Sequence, residues 1–233
     1  MILIYLVAFF LAASFVSFFN LFDDRRRRGE NWVAGRSRCE SCGRRIPWPY
    51  LIPVLGYIFC RGRCTCGEKI SPYHPLSEGI GGALVVFLLH YLGMEKASVF
   101  PVAAVFLMYL LALEDSRHQD VFTGDLVVGG AFFVAALILD GSIYPLSGAF
   151  LFCLIGALYF LFPKAVGEGD IYYASILALG IGEIWRSYLF FTVTFVSAAL
   201  IGGGLYFFKC LKQKAVPMFP FFLLGFLIVG IYL

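Results

Sequence analysis

Charge is scarce in this chain. Only 14% of its 233 residues are Asp, Glu, Lys or Arg, whereas 61% are hydrophobic. A soluble domain carries about 25% charged residues, so an ordinary water-solvated globule is excluded. Other absences narrow the class. The first apolar stretch has no basic residue before it and no small-residue cleavage site after it. Its arginines follow instead, so it reads as a retained helix and not as a cleaved signal peptide. There is no glycine-rich dinucleotide fingerprint and no convincing repeat of one half by the other, as many transporters show. The run Arg25-Arg26-Arg27-Arg28 lacks the aromatic platform of a nucleic-acid binder. It reads as a topology anchor that also meets anionic lipid.

What the chain does have is long apolar runs. Eight candidate spans cover roughly 2–22, 76–93, 98–114, 124–139, 144–162, 170–185, 187–208 and 216–233. The expected fold is an all-α polytopic membrane protein. Crossing the hydrocarbon core takes about 20 residues, and a re-entrant segment can replace the fourth or sixth span. The 26 Phe and 13 Tyr suit helix interfaces and headgroup belts. With eight spans, loops on one side carry sixteen of the eighteen basic residues, leaving only Lys96 and Arg186 opposite. The positive-inside rule places the rich side in the cytosol and both termini outside.

Residues 23–75 form the one long polar insert. It contains Cys39-Glu40-Ser41-Cys42-Gly43 and Cys64-Thr65-Cys66-Gly67, each followed three residues later by Ile. Two Cys–Gly turns facing each other supply four sulfurs for tetrahedral zinc, and a reducing cytosol disfavours disulfides. The second pair is one residue short, and Cys60 lies four residues earlier, so Cys60 and Cys64 compete for one ligand position. Four thiolates close the coordination shell, which makes such a metal structural. Cys153 and Cys210 read as small core residues without a role.

Asp115 ends the apolar run 106–113, and Asp170 closes Gly167-Glu168-Gly169-Asp170 just before another. Ionisable groups at the edge of lipid-buried helices are costly unless paired or hydrated, and so are functional candidates. By the charge count both face the cytosol. Two carboxylates on one side of a membrane can share a proton and activate water, which points to a membrane-embedded aspartic protease whose dyad titrates as a unit. Gly167 and Gly169 are expected to let backbone approach a substrate strand and turn sharply into the helix. The helix N-terminus beside Asp170 interacts favourably with negative charge. Glu168 reads as solvated at the rim, Asp120, Asp125 and His118 as solvated or capping groups, and His74 and His90 as structural.

Taken in order, these motifs resemble those of the type IV prepilin peptidase family. Ser14-Phe15-Val16-Ser17-Phe18-Phe19-Asn20 loosely matches the signature ending its first span. Ser37-Arg38-Cys39, Cys42-Gly43, Ile52-Pro53-Val54-Leu55-Gly56 and Arg61-Gly62-Arg63-Cys64 are similar to its zinc loop. Pro75-Leu76-Ser77-Glu78 with Gly82 opens the second span, and Ala112-Leu113-Glu114-Asp115 stands where the first catalytic aspartate falls. Gly167-Glu168-Gly169-Asp170 matches the second, and Pro217-Met218-Phe219-Pro220-Phe221 resembles the last-span motif. The chain departs from the family pattern at Tyr172, where the family has Lys, and at Phe122, where it has Pro.

The resemblance implies a first helix over 1–22, a methyltransferase-associated cytosolic zinc loop over 23–75 and a peptidase domain over 76–233. It implies cleavage of prepilin or pseudopilin leaders in type IV pilus, type II secretion or competence systems of a bacterial inner membrane. The new N-terminus would be methylated from S-adenosylmethionine, with Glu78 and Gly82 implicated by motif position alone. Alternatives are another Gly-x-Gly-Asp membrane protease, a proton-coupled transporter with the two aspartates as relays, and a non-enzymatic assembly scaffold.

Overall fold

The computed structural model describes residues 1–31, 37–39, 41–162, 166–204 and 216–232. Arg36, Glu40, Lys164, Lys209, Lys212, Lys214 and Cys210, which entered the motif, charge and cysteine readings, lie outside the described residues. Among the described residues there are helices and turns, with two isolated β-bridges, Arg38 to Arg45 and Arg63 to Lys69. Two compact units divide the chain, Met1–Ser98 and Val99–Leu233.

The first unit contains α1 (Ile2–Arg27), the short α2 (Leu55–Phe59) and α3 (Tyr73–Leu92). The helices α1 and α3 run antiparallel. At one end the Asn20 amide donates to Ser77 Oγ at 3.0 Å, and at the other Tyr5 Oη meets His90 Nδ1 at 3.3 Å. Close approach depends on Gly82, where a Cβ would stand 2.6 Å from Phe9 Cδ2. Arginines 25–27 occupy the last turn of α1, where they complement the helix dipole, and Arg27 Nε donates to the buried Asp23 at 2.9 Å.

The second unit comprises α4 (Val99–His118), α5 (Thr123–Asp140), α6 (Pro145–Leu161), α7 (Glu168–Ala178), α8 (Ile184–Ser197) and α9 (Phe219–Tyr232). The helix α8 continues into a π-helical turn, Ala198–Gly202. α9 packs against α4, α7 and α8, and α6 against α7 and α8. Met108, Phe133, Leu151, Tyr173, Phe190 and Phe222 lie fully buried between these helices. At the α8–α9 crossing a Cβ on Gly225 would collide with Thr194 Oγ1 and approach Phe190 Cδ2 to 3.0 Å, so glycine sets the spacing there.

Each expected span contains a helix, but eight full crossings are not what their lengths allow. Among the described residues five helices are long and apolar enough to cross a membrane: Ile2–Arg27, Tyr73–Leu92, Val99–His118, Thr123–Asp140 and Ile184–Gly202. The fourth expected span is thus full length. The sixth is not: α7 has 11 residues, or about 16 Å at 1.5 Å per residue, against the ~30 Å hydrocarbon core. Gly180, Ile181 and Gly182 leave the helical path after it, with Gly182 at φ 108°. The core reading of Cys153 is also corrected, because its side chain lies on the exposed face of α6.

Candidate active site and cysteine cluster

Within the second unit Asp115 of α4 and Asp170 of α7 are both carried to the start of α9, where Phe219 holds Asp115 and stacks on Tyr173, one turn beyond Asp170. Each is held by the same device. Asp115, near the end of α4, is 8% exposed, and its Oδ2 accepts from the Phe219 backbone N–H at 2.9 Å. Phe219 is the first residue of α9. Asp170 stands in the first turn of α7, where its Oδ2 accepts from the N-cap Gly167 N–H at 2.8 Å. The first N–H groups of a helix have no partner within it and carry the positive end of its dipole. A carboxylate placed there satisfies a donor and has part of its charge compensated, which lets two acids persist at buried and half-buried positions. Pro217 and Pro220 frame this start of α9, consistent with proline's tolerance in a first turn.

Tyr173 ties the three elements together. Fully buried one turn beyond Asp170, it donates its hydroxyl to the Met108 carbonyl of α4 at 2.9 Å. Its ring stacks on Phe219 with centroids 4.0 Å apart and planes 15° apart. The sequence reading assigned no role to Tyr173 or to the Phe219 backbone. A usable signal was present in the polar-tipped aromatic one turn after the aspartate, because a buried Tyr hydroxyl needs a partner.

The two motif glycines do not need glycine's conformational freedom. Gly167 is extended at φ −88°, ψ 157°, and neither glycine has a positive φ. A Cβ on Gly169 would meet Phe219 Cζ at 3.4 Å, an ordinary contact. Glu168 is exposed and accepts from the Tyr159 hydroxyl at 3.0 Å.

In the first unit the insert forms two matching knuckles. Cys39 N–H donates to Arg44 O, and Cys64 N–H to Glu68 O, each at 2.9 Å. Gly43 (φ 68°) and Gly67 (φ 90°) take the left-handed turn that follows each pair. The missing residue of the second pair is absorbed in that turn: Gly43 N–H reaches back four residues to Cys39 O, Gly67 N–H only three to Cys64 O. The sulfurs of Cys39, Cys42, Cys64 and Cys66 all lie within 4.8 Å of one another. The Cys39–Cys66 and Cys42–Cys64 separations of 3.9 and 4.0 Å are far beyond a disulfide bond. They match the ~3.8 Å between sulfurs of a tetrahedral site with Zn–S near ~2.3 Å. These four cysteines can therefore hold a metal ion. Cys60 is not with them; its thiol faces the Tyr57 carbonyl at 3.4 Å. The Cys66 backbone N–H, with a smaller contribution from Cys39, pulls the Cys64 thiol down to about 6, while, against the Glu68 N–H, the hydrogen-bonded Cys64 sulfur pushes Cys66 up to about 11, so the clustered thiols share protons unequally.

Known proteins resemble this chain over most of its length. The Bacterial Peptidase A24 N-terminal domain family matches residues 10–92. A prepilin leader peptidase/N-methyltransferase of Klebsiella pneumoniae is 30% identical over 199 residues, covering 77% of this chain and 85% of that protein. This chain belongs to the prepilin leader peptidase/N-methyltransferase family. Relatives of the same name from Pseudomonas putida (27% identical, 79% of this chain and 67% of the relative) and Bacillus subtilis strain 168 (25%, 86% and 83%) extend the likeness over most of the chain. No solved structure matches it.

Glu78 and Gly82, implicated in methyl transfer by their place in the prepilin peptidase motif, have structural partners in the first unit. Glu78 is buried, and its Oε2 accepts from the Val54 N–H at 2.8 Å. Val54 has φ 63° and ψ −53°, and Leu55 N–H donates across it to Pro53 O at 2.6 Å. That is a classic γ-turn, rare and strained for a β-branched residue. Glu78 pins this turn, while Gly82 admits Phe9.

Proposed function

We propose that this member of the prepilin peptidase family trims the leader of prepilin-like precursors with Asp115 and Asp170 as its catalytic dyad. The observation that carries this reading is the pairing of two sequence-remote carboxylates in one unit, each fixed by a main-chain N–H at a helix N-terminus. One carboxylate, ionised, takes a proton from water as the water attacks the scissile carbonyl. The other, protonated, gives its proton to the carbonyl oxygen; as the tetrahedral diol collapses, the first passes the water proton to the leaving amine and the second recovers a proton from the diol, so no covalent intermediate forms. Neither aspartate is assigned the starting proton. The match to prepilin leader peptidases gives no support to the transporter, the other Gly-x-Gly-Asp proteases or the scaffold.

Zinc fits the four cysteines Cys39, Cys42, Cys64 and Cys66 by donor type and sulfur spacing, as a structural ion. It would tie together an insert too small to hold itself by burial. For methylation of the new N-terminus, S-adenosylmethionine would supply the methyl group. Glu78 and Gly82 support that activity through the loop they hold, because both side-chain positions are already engaged within the first unit. The chain sits in the bacterial inner membrane, and loop charge favours aspartates and cysteine insert in the cytosol with the N-terminus outside. Pilin or pseudopilin precursors of pilus, secretion or competence systems are the substrates this reading expects.

The test is co-expression with a prepilin-like substrate, following the N-terminus by mass spectrometry. Asp115→Asn and Asp170→Asn each keep an oxygen for the N–H donor and should fold, yet trimming should fall by about 10²–10⁴-fold. Trimming untouched by both changes refutes the dyad. A product heavier by one methyl group establishes the transferase.

A further inference from the structure

The hydrolysis leaves unused one part of the insert that is fastened to a membrane helix. Its height relative to the bilayer follows from contacts inside the first unit. α1 and α3 both have the length and apolar character to cross a membrane, and the Asn20–Ser77 bond puts those two residues at one level. The arginines in the last turn of α1 begin at Arg25, five residues past Asn20, or about 7 Å along the helix. Arginines at the end of a span reach for the headgroups. Glu78, next to Ser77, therefore stands about 7 Å deeper than that belt. From this depth it holds the Val54 N–H at 2.8 Å, while the Val54 side chain lies against Gly79 of α3.

What this anchor holds is α2, which begins at the next residue. Ile58 and Phe59 of α2 are 60% and 57% exposed. Gly56 of the same helix is buried against the Tyr50 carbonyl, where a Cβ would collide, so α2 and the 3₁₀ turn Trp48–Leu51 form one body. Two exposed arginines, Arg61 and Arg63, follow Phe59 closely, and Lys69 pairs with Arg63 in an isolated bridge. Residues 41–77 hold five basic residues against one acid, Glu68. Exposed apolar side chains at headgroup depth, with cations beside them, suit an anionic lipid surface. A partner in the cytosol would have to pass the headgroups to cover them, so depth favours lipid over protein.

We propose that α2 is an interfacial wedge whose Ile58 and Phe59 enter the headgroup–acyl boundary of an anionic leaflet, with Arg61 and Arg63 on lipid phosphates. The wedge goes beyond the dyad and stands without it. Its failure leaves proteolysis untouched, and failure of the dyad leaves the wedge.

The experiment uses the full-length chain reconstituted in phosphatidylcholine vesicles with a minor fraction of phosphatidylglycerol. Trp32→Phe, Trp48→Phe and Trp185→Phe leave no native tryptophan, and Phe59→Trp then places a single emitter on α2. Lipids brominated on the upper acyl chain quench it from the bilayer, and acrylamide quenches it from water. The emitter should lose about half its intensity or more to brominated lipid, and be at least about twofold less sensitive to acrylamide than free tryptophan. At equal brominated fraction, phosphatidylglycerol should quench about 1.5-fold more than phosphatidylcholine. Salt, or the pair Arg61→Gln and Arg63→Gln, should abolish that excess. Quenching by acrylamide alone overturns the wedge. Protection from both quenchers assigns the face to a protein surface and overturns it too. Equal quenching by the two brominated lipids overturns the anionic contact. If the Phe59→Trp chain does not accumulate, Ile58→Trp is read by the same criteria.

Discussion

Replacing Tyr173 tests whether its stack on Phe219 positions the dyad or merely fills space. Tyr173→Phe removes one buried hydroxyl from the Met108 carbonyl and leaves the ring contact at 4.0 Å intact. That carbonyl lies within α4, so the loss should be the ~1 kcal/mol of an ordinary hydrogen bond, or roughly 2–4 °C in thermal midpoint. Tyr173→Leu also removes the stack, worth ~0.5–1.5 kcal/mol beyond area, and leaves a partial cavity, for a total of about 3 kcal/mol. The effects on rate should differ more than the effects on stability. Without the Tyr173 ring, Phe219 can shift, and with it the N–H that holds Asp115 at 2.9 Å. A displacement near 1 Å costs on the order of 100-fold in rate. In steady-state trimming with purified enzyme, Tyr173→Phe should keep kcat within about threefold of wild type. Tyr173→Leu should lose about 100-fold in kcat with little change in KM. A Tyr173→Leu enzyme that is less stable yet turns over at the wild-type rate refutes the positioning role. Equal loss in Tyr173→Phe shifts that role from ring to hydroxyl.

Metal removal should act on the first unit: a strong chelator, or Cys64→Ser, should release one zinc per chain by elemental analysis and expose the insert to protease, whereas Cys60→Ser should leave the zinc in place. Protection of the insert in the metal-free protein would contradict a folding role for the ion. Gly82→Ala should cost about 1–3 kcal/mol by overpacking Phe9, and Phe9→Leu should recover most of it along with methylation. Failure of that rescue would point to a direct role for Gly82 in methyl transfer. Gly225→Ala should cost a similar amount at the α8–α9 crossing and be relieved by Thr194→Ala, read as midpoints of the single and double variants. Glu78→Leu should release the Val54 turn and lower stability by about 1–3 kcal/mol, with Glu78→Gln near wild type in midpoint.

The membrane class, the helices at the expected spans, the paired cysteines and both aspartates were legible in the chain because each is a local signal. An apolar run must be buried or placed in lipid whatever surrounds it, and an acid at the end of such a run stands out. Span lengths were less legible. The apolar run 171–181 hides the end of α7, because Gly180 and Gly182 are as hydropathically neutral inside a helix as after one. Competition between Cys60 and Cys64 likewise had no sequence answer, since the shortened pair works only through a tighter turn at Gly67.

Residue order alone sets where charge is excluded, which residues can ionise at the helix rims, and how the cysteines are spaced. What holds them follows from packing. The donor to Asp115 lies 104 residues away, and the carbonyl that takes the Tyr173 hydroxyl lies 65 residues away. Such pairs are set by how helices cross, and a main-chain N–H is present in every residue but proline. Its partner is therefore invisible until packing places it.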